Sequence, residues 1–195
     1  MAVYERNLAR STGSRAAPAA RRAEPLLRIG RKWRKTLLIA HVVSAGAWIG
    51  IDVMVAVLVL TGRFGTTDEV RGLAYQALAA FVVWPMLVSA LACLVTGVVL
   101  GLGTRWGLLR YWWVAVKLVL NAVLCVLIVV ALQPGMAEVG EYGRTLGPGV
   151  PEPAGITNLF FPPAVSLTAL TFATVLAVAK PWGRVRGGRR GGGPR

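Results

Sequence analysis

Hydrophobic positions cluster in four long stretches of the chain, while polar residues gather between these stretches and at both ends. A helix needs roughly 20 apolar residues to cross the ~30 Å hydrocarbon core of a bilayer. The stretches are continuously apolar and lack the alternation of membrane β-strands. They therefore predict an all-α integral membrane protein, a four-helix bundle whose helices cover about 36–60, 78–102, 111–132 and 162–179.

The segments outside these spans differ from one another in composition. Residues 1–35 form a basic tail with too little apolar content to build a core, and we expect it to be disordered. Residues 133–161 form a Pro- and Gly-rich outer loop. Such a loop either caps the outer face of the bundle or binds something outside, and composition leaves both roles open. Residues 180–195 are a second basic tail, rich in Gly and Arg.

Charge is distributed very unevenly along the chain, and this distribution changes the meaning of its net charge of +14. Of 22 Lys and Arg residues, ten lie in residues 1–35, two in 103–110 and six in 180–195. With 55% hydrophobic and 15% charged residues, the chain is not a uniformly basic, soluble nucleic-acid module. Because Lys and Arg mark the cytoplasmic side, both termini are expected to be cytoplasmic.

The expected location is therefore the inner (plasma) membrane, with the two tails on the anionic headgroups of its inner leaflet. Nucleic acid is the less favoured partner for the tails, because basic residues that flank spans ordinarily set topology and contact lipid.

The first span carries polar residues at helical spacing. His41, Ser44, Trp48 and Asp52 recur at intervals of three or four residues, so they should share one face of the helix. An ionisable group at membrane depth costs about 2.5–3.5 kcal/mol and is a functional candidate for that reason. This face is therefore a candidate functional face of the first span.

Lys117 and Asn121 form a second polar pair, one helical turn apart in the third span. Together with His41 and Asp52 they make up a predicted intramembrane polar centre. If the first and third spans face each other, Asp52 and Lys117 could neutralise each other. Two interpretations stay open: an ion pair that sets helix register, or a constellation that handles protons, a redox cofactor or a ligand.

Small residues at four-residue spacing predict close helix contacts, because they let helix backbones approach one another in lipid. Gly46 and Gly50 form such a pair in the first span, and the second span has a ladder of four: Ser89, Cys93, Gly97 and Gly101. Packing inside one bundle is the favoured interpretation. The alternative is a face for a homo-oligomer or for a partner in a membrane complex. Cys93 and Cys125 match no metal-site spacing and are interpreted as packing residues.

Three stretches, Leu38–Gly50, Leu94–Gly97 and Leu102–Leu120, resemble an uncharacterised family of small actinobacterial integral membrane proteins that carry a domain of unknown function. The resemblance covers about residues 32–135. More distantly, a first-span His followed by Trp, and Trp-x-x-x-Lys in the third span, are similar to copper-resistance membrane proteins and to haem-binding bacterial protoporphyrinogen oxidases. That second resemblance implies haem as a cofactor, with His41 and Lys117 as its ligands.

No nucleotide-binding loop, nucleophile triad or metal motif occurs in the sequence. The sequence therefore favours a small multi-pass membrane protein that is a binding or accessory component, rather than an enzyme, with the polar centre as its site. One alternative is a haem-binding or redox protein that uses His41 and Lys117. The other is a proton-coupled transporter in which Asp52 and Lys117 exchange charge states.

Overall fold

The computed structural model describes residues 29–103 and 111–179. The predicted tails and the basic connector fall largely on residues 1–28, 104–110 and 180–195, which lie outside the described residues. Every regular element in the described ranges is helical. The main helices are α1 (Arg31–Phe64), α2 (Asp68–Phe81), α3 (Val83–Leu102), α4 (Trp112–Leu127), α5 (Met136–Thr145), α6 (Ala154–Thr157) and α7 (Phe161–Ala179).

Four helical segments are long and apolar enough to cross a membrane, as the sequence predicts. Two of them are α1 and α3, and the other two are the continuous stretches Trp112–Thr145 and Ala154–Ala179. Their outward surfaces carry many large apolar side chains, typical of helices that face lipid. Among these exposed side chains are Leu38, Ile39, Val57, Val88, Val95, Val119, Val126, Phe172 and Val175.

The four long helices are arranged as a ring. Helix α1 packs against α3 on one side and α7 on the other, and α4 packs against the same two neighbours. Helices α1 and α4 therefore lie diagonally across the ring. The interior between them is filled by buried side chains from every member of the ring, including Trp48, Met86, Ala90, Leu124 and Leu170.

Segments expected to be loops fold as helices and build a cap at one end of the ring. At 1.5 Å per residue the 34 residues of α1 reach about 51 Å, well beyond a hydrocarbon core of about 30 Å. The predicted outer loop 133–161 contains α5, α6 and short 3₁₀ turns. Because α5 packs against α2, this segment caps the bundle.

Two glycines make the contact between α2 and α5 possible. A Cβ atom on Gly72 would lie 2.5 Å from the carbonyl oxygen of Gly143, and one on Gly143 would lie 2.7 Å from that of Gly72. The Gln76 amide also donates to the Gly143 carbonyl at 3.1 Å. The two backbones thus approach more closely than any side chain at these positions would allow.

Helix breaks mark the boundary between cap and ring. Pro85 has no N–H for the carbonyl four residues earlier, and α2 gives way to α3 at Val82. Pro134 has the same effect on the other long helix. There a π-helical turn, Ile128–Leu132, and a 3₁₀ turn separate α4 from α5.

The two small-residue patterns have different outcomes. The α3 ladder packs inward: Ser89, Cys93 and Gly101 are buried, and a Cβ on Gly97 would lie 3.1 Å from the His41 ring. The Gly46 and Gly50 pair does not lie in a helix interface of this chain, because both are exposed and an added Cβ would meet nothing within 4 Å. The favoured interpretation, packing inside the bundle, is therefore wrong for Gly46 and Gly50. A role of this pair in oligomerisation stays a prediction.

Candidate functional site

The polar residues that share one face of α1 by their spacing point into the ring. Ser44, Trp48 and Asp52 are buried, and the last two are completely inaccessible to solvent. His41, at the start of the same face, is half-buried. The face continues with Val55 and Val59, so the polar residues lie on the helix stripe that forms the core.

Asp52 is bound by α7 rather than by α4. The Ser166 hydroxyl donates a hydrogen bond to Oδ2 of Asp52 at 2.6 Å, and both residues are buried. No ion pair joins Asp52 to Lys117 among the described residues. The reason lies in the arrangement of the ring, where the helix of Lys117 is diagonal to α1 and α7 is adjacent.

The second carboxylate oxygen of Asp52 is unusual. Oδ1 is buried and has no hydrogen-bond partner within the described part of the chain. Leaving a buried acceptor unsatisfied costs roughly 1–3 kcal/mol, and more for a charged group. A fully buried carboxylate with one unsatisfied oxygen is therefore a candidate binding group.

An apolar cavity of about 230 Å³ lies against Asp52. Its polar lining consists of Asp52 and Ser166, and every other side chain that lines it is apolar. These are Met86 from α3, Leu124 and Leu127 from α4, Ile128, Ala131 and Leu132 from the π-helical turn, and Phe161, Pro162 and Val165 from α7. An engineered cavity of roughly 150 Å³ binds benzene, so this space accommodates a molecule of at least that size.

Exposed apolar side chains on α4 and α7 mark the mouth of the cavity. Leu127, Phe161 and Val165 line it and are also 42%, 65% and 50% exposed on the outer surface of the ring. Beside them the wall is formed by a π-helical turn, an irregularity often found at functional sites. The cavity thus opens sideways through the apolar surface of the bundle.

His41 belongs to a separate polar group, between α1 and α3. Its Nδ1 lies 3.0 Å from the carbonyl oxygen of Cys93 and 3.0 Å from the Thr96 hydroxyl oxygen. Because a carbonyl oxygen only accepts hydrogen bonds, Nδ1 carries the proton and donates it. The Thr96 hydroxyl in turn donates to the Ala92 carbonyl at 2.6 Å. His41 thus joins α1 to α3 through a hydrogen-bond network.

Lys117 and Asn121 interact with residues of this His41 group. The Lys117 ammonium is 4.7 Å from the ring centre of Trp113, and its charge acts on both His41 and Cys93. Asn121 accepts a hydrogen bond from the Cys125 thiol at 3.4 Å. The four predicted members of the polar centre are therefore divided, with Asp52 apart from the other three.

A haem held by His41 and Lys117 fits this geometry poorly. The His41 ring packs against α3 at Gly97, where an added Cβ atom would lie 3.1 Å from the ring. Neither His41 nor Lys117 lines the cavity beside Asp52. The arrangement around His41 fits a link between two helices better than an axial ligand.

Ser166 is the residue of the candidate site that sequence reasoning misses. The fourth span is rich in Ser and Thr, and three of these hydroxyls occur at nearby positions: Ser166, Thr168 and Thr174. Thr168 and Thr174 donate to carbonyls of their own helix, as such residues usually do, whereas Ser166 donates across to α1. Only the helix neighbours distinguish among the three.

No group of three or more His, Cys, Asp or Glu side chains that could hold a metal ion occurs in residues 29–103 and 111–179. Comparison with family models finds no match to this chain, and comparisons with curated proteins and with solved structures find none either. The chemistry of the site therefore follows from its own side chains, a carboxylate and a hydroxyl in the lining of an otherwise apolar cavity.

Proposed function

We propose that this chain is an integral membrane protein that binds a lipid-soluble small molecule in the cavity beside Asp52. Helices α1, α3, α4 and α7 cross the inner membrane, with the basic tails on the cytoplasmic side and the α2–α5 cap on the outer side. The concentration of Lys and Arg in the tails and in residues 103–110 supports this orientation.

One observation carries the binding function: fully buried Asp52, whose Oδ1 has no hydrogen-bond partner among the described residues, lines a cavity of about 230 Å³. A mainly apolar pocket with a few convergent polar groups is the usual form of a small-molecule site. The apolar wall holds the body of the ligand, while Asp52 and Ser166 orient its polar group.

The position of the mouth favours a ligand that arrives from the lipid phase. The exposed side chains around it are Leu127, Phe161 and Val165, all apolar, so a lipid-dissolved molecule reaches Asp52 without crossing a polar surface. Such a route suits a binding or accessory component of the membrane.

The two alternative functions have weaker support. A proton pathway along the bundle interior needs a chain of polar groups between Asp52 and His41, and Trp48 occupies that part of the α1 face with no solvent exposure. A haem protein needs a pocket at His41, where α3 packs closely. Both stay predictions, which transport assays in vesicles and absorption spectra of the purified chain would test.

A binding experiment on the full chain in phosphatidylcholine nanodiscs tests the proposal. The probe is phenethyl alcohol, a neutral hydroxyl donor whose body is slightly larger than benzene. We expect saturable binding, detected by ligand-observed NMR and by a rise in the thermal unfolding midpoint. Ala131→Phe, which places a ring at the cavity wall, should abolish it.

Ala122→Phe is the matched control, because Ala122 is an exposed alanine of α4 that does not line the cavity. It should bind the probe as the unmodified chain does. If Ala131→Phe binds the probe as well as Ala122→Phe does, or if neither phenethyl alcohol nor its amine analogue phenethylamine shows saturable binding, this cavity is not a ligand site and the proposal fails.

A further inference from the structure

The polar end of the cavity has only hydrogen-bond acceptors to offer. The single hydroxyl proton of Ser166 is directed to Oδ2 of Asp52, which leaves the lone pairs of Ser166 Oγ and Asp52 Oδ1 for a ligand. The other residues that line the cavity have no polar side-chain hydrogen. The buried N–H of Trp48 has no partner in the part of the chain that the structure describes, but Trp48 does not line the cavity.

Asp52 also has no counter-charge within residues 29–103 and 111–179. Among the described residues no Lys or Arg forms an ion pair with it, since Arg63 pairs with Glu152 in the cap and the Lys117 ammonium lies over Trp113. An isolated buried carboxylate is costly, because its solvation is lost and nothing replaces it.

From this arrangement we infer that the ligand is a lipophilic amine whose protonated nitrogen pairs with Asp52 and donates hydrogen bonds to Asp52 Oδ1 and Ser166 Oγ. This inference rests on the proposed function and specifies the ligand class of the same cavity. An ammonium group supplies both things the site lacks, a positive charge and N–H donors. Its apolar body occupies the space among Met86, Leu124 and Ile128.

Other cations fit less well. A metal ion such as Ca²⁺ or Mg²⁺ needs six or more oxygen ligands, and this cavity presents one carboxylate and one hydroxyl. A quaternary ammonium has no N–H to donate and is usually held by several aromatic rings, whereas the lining has one, Phe161. The amine headgroup of a phospholipid would bring a phosphate into a cavity without a donor for it.

The test compares four ligands of similar shape in phosphatidylcholine nanodiscs at neutral pH: phenethylamine, phenethyl alcohol, hydrocinnamate and phenethyltrimethylammonium. Binding to empty nanodiscs and to Ala131→Phe measures the background from lipid. We expect phenethylamine to bind about tenfold more tightly than phenethyl alcohol, or better, because a charge-assisted hydrogen bond is worth more than a neutral one. Hydrocinnamate should bind least, and the quaternary ammonium should bind more weakly than phenethylamine.

Asp52→Asn removes the charge while keeping the shape of the side chain. In this variant we expect phenethylamine and phenethyl alcohol to bind with about equal affinity. Its binding of the alcohol reports whether the variant is folded. The ratio measured on the unmodified chain is decisive in itself. If amine and alcohol bind equally there and Ala131→Phe abolishes both, the inference is overturned while the proposed function stands. If none of the four binds above background, both fail.

Discussion

The hydroxyl of Ser166 donates a 2.6 Å hydrogen bond to the carboxylate of Asp52, and so joins the first and last helices of the ring across 114 residues of sequence. Both side chains are buried, and the bond uses the only donor that the cavity lining offers to Asp52. The other carboxylate oxygen, Oδ1, has no hydrogen-bond partner among the described residues.

Replacing Ser166 by Ala should therefore destabilise the fold. A hydrogen bond to a buried charged group contributes about 1.5–3 kcal/mol, and we expect a loss of that order in the free energy of unfolding. Ser89→Ala is the control, because Ser89 is equally buried but donates only to the Pro85 and Met86 carbonyls of its own helix. Denaturant titration in mixed micelles, followed by tryptophan fluorescence, measures both. If the two variants lose the same free energy of unfolding, the hydrogen bond to Asp52 contributes no more to stability than a hydrogen bond within one helix.

The close approach of α2 and α5 predicts a sharp difference among glycines. Gly72→Ala or Gly143→Ala forces a Cβ to within 2.5–2.7 Å of a carbonyl oxygen, and overpacking of this kind costs typically about 1–3 kcal/mol. Gly46→Ala and Gly50→Ala meet open space, and they should stabilise α1 by roughly 0.4–1 kcal/mol. Thermal unfolding of the four variants checks this. A loss at Gly46 as large as that at Gly143 would contradict it.

The cap should lose stability in alkali through Tyr75. Burial raises the pKa of the Tyr75 phenol above its usual value of about 10, and neighbouring Tyr142 acts in the same direction. Because the folded state holds this proton more tightly than the unfolded state, the contribution is complete below pH ~10 and is lost as the pH rises above it. The free energy of unfolding, measured against pH, should therefore fall more steeply above pH ~10 than it does for Tyr75→Phe. Parallel pH curves for the two proteins would exclude this role.

The proposed orientation predicts which positions react from outside the cell. The background for this test is a chain with the substitutions Cys93→Ala and Cys125→Ala. Thr66→Cys then introduces a single cysteine between α1 and α2. We expect a membrane-impermeant maleimide to label it on intact cells. A single cysteine at Ser14, in the basic tail, should be labelled only after lysis. Labelling of both positions on intact cells would overturn the assignment of the cytoplasmic side.

The local spacing of residues predicts which side chains of α1 belong to the candidate site, but it does not predict which residue pairs with Asp52. The recurrence of Ser44, Trp48 and Asp52 at three and four residues correctly predicts that they share one face of α1, because helix geometry alone decides which residues share a face. The partner of Asp52 depends on which helix is its neighbour. The sequence suggests Lys117 by charge, while the ring places Ser166 there.

In the cap, too, the sequence predicts some features and the tertiary structure decides others. Its glycines and prolines are visible in the sequence as loop signals, and Pro134 does end a regular helix. Yet Gly72 and Gly143 are placed in helices, where they are needed for the approach of two backbones. Composition describes residues 133–161 as a Pro- and Gly-rich segment, but it does not show that Gly143 in this segment lies in a helix and contacts a second helix.

By itself the sequence determined the number and position of the apolar helices, the shared face of the polar residues of α1 and the concentration of positive charge at the ends. These features depend on periodicity, length and composition, which are properties of contiguous residues. Only the tertiary structure decided that Asp52 meets Ser166, that the α3 ladder is buried while Gly46 and Gly50 stay exposed, and that a cavity opens between α4 and α7. Those features depend on which helices are adjacent, and adjacency arises from the packing of all four helices together.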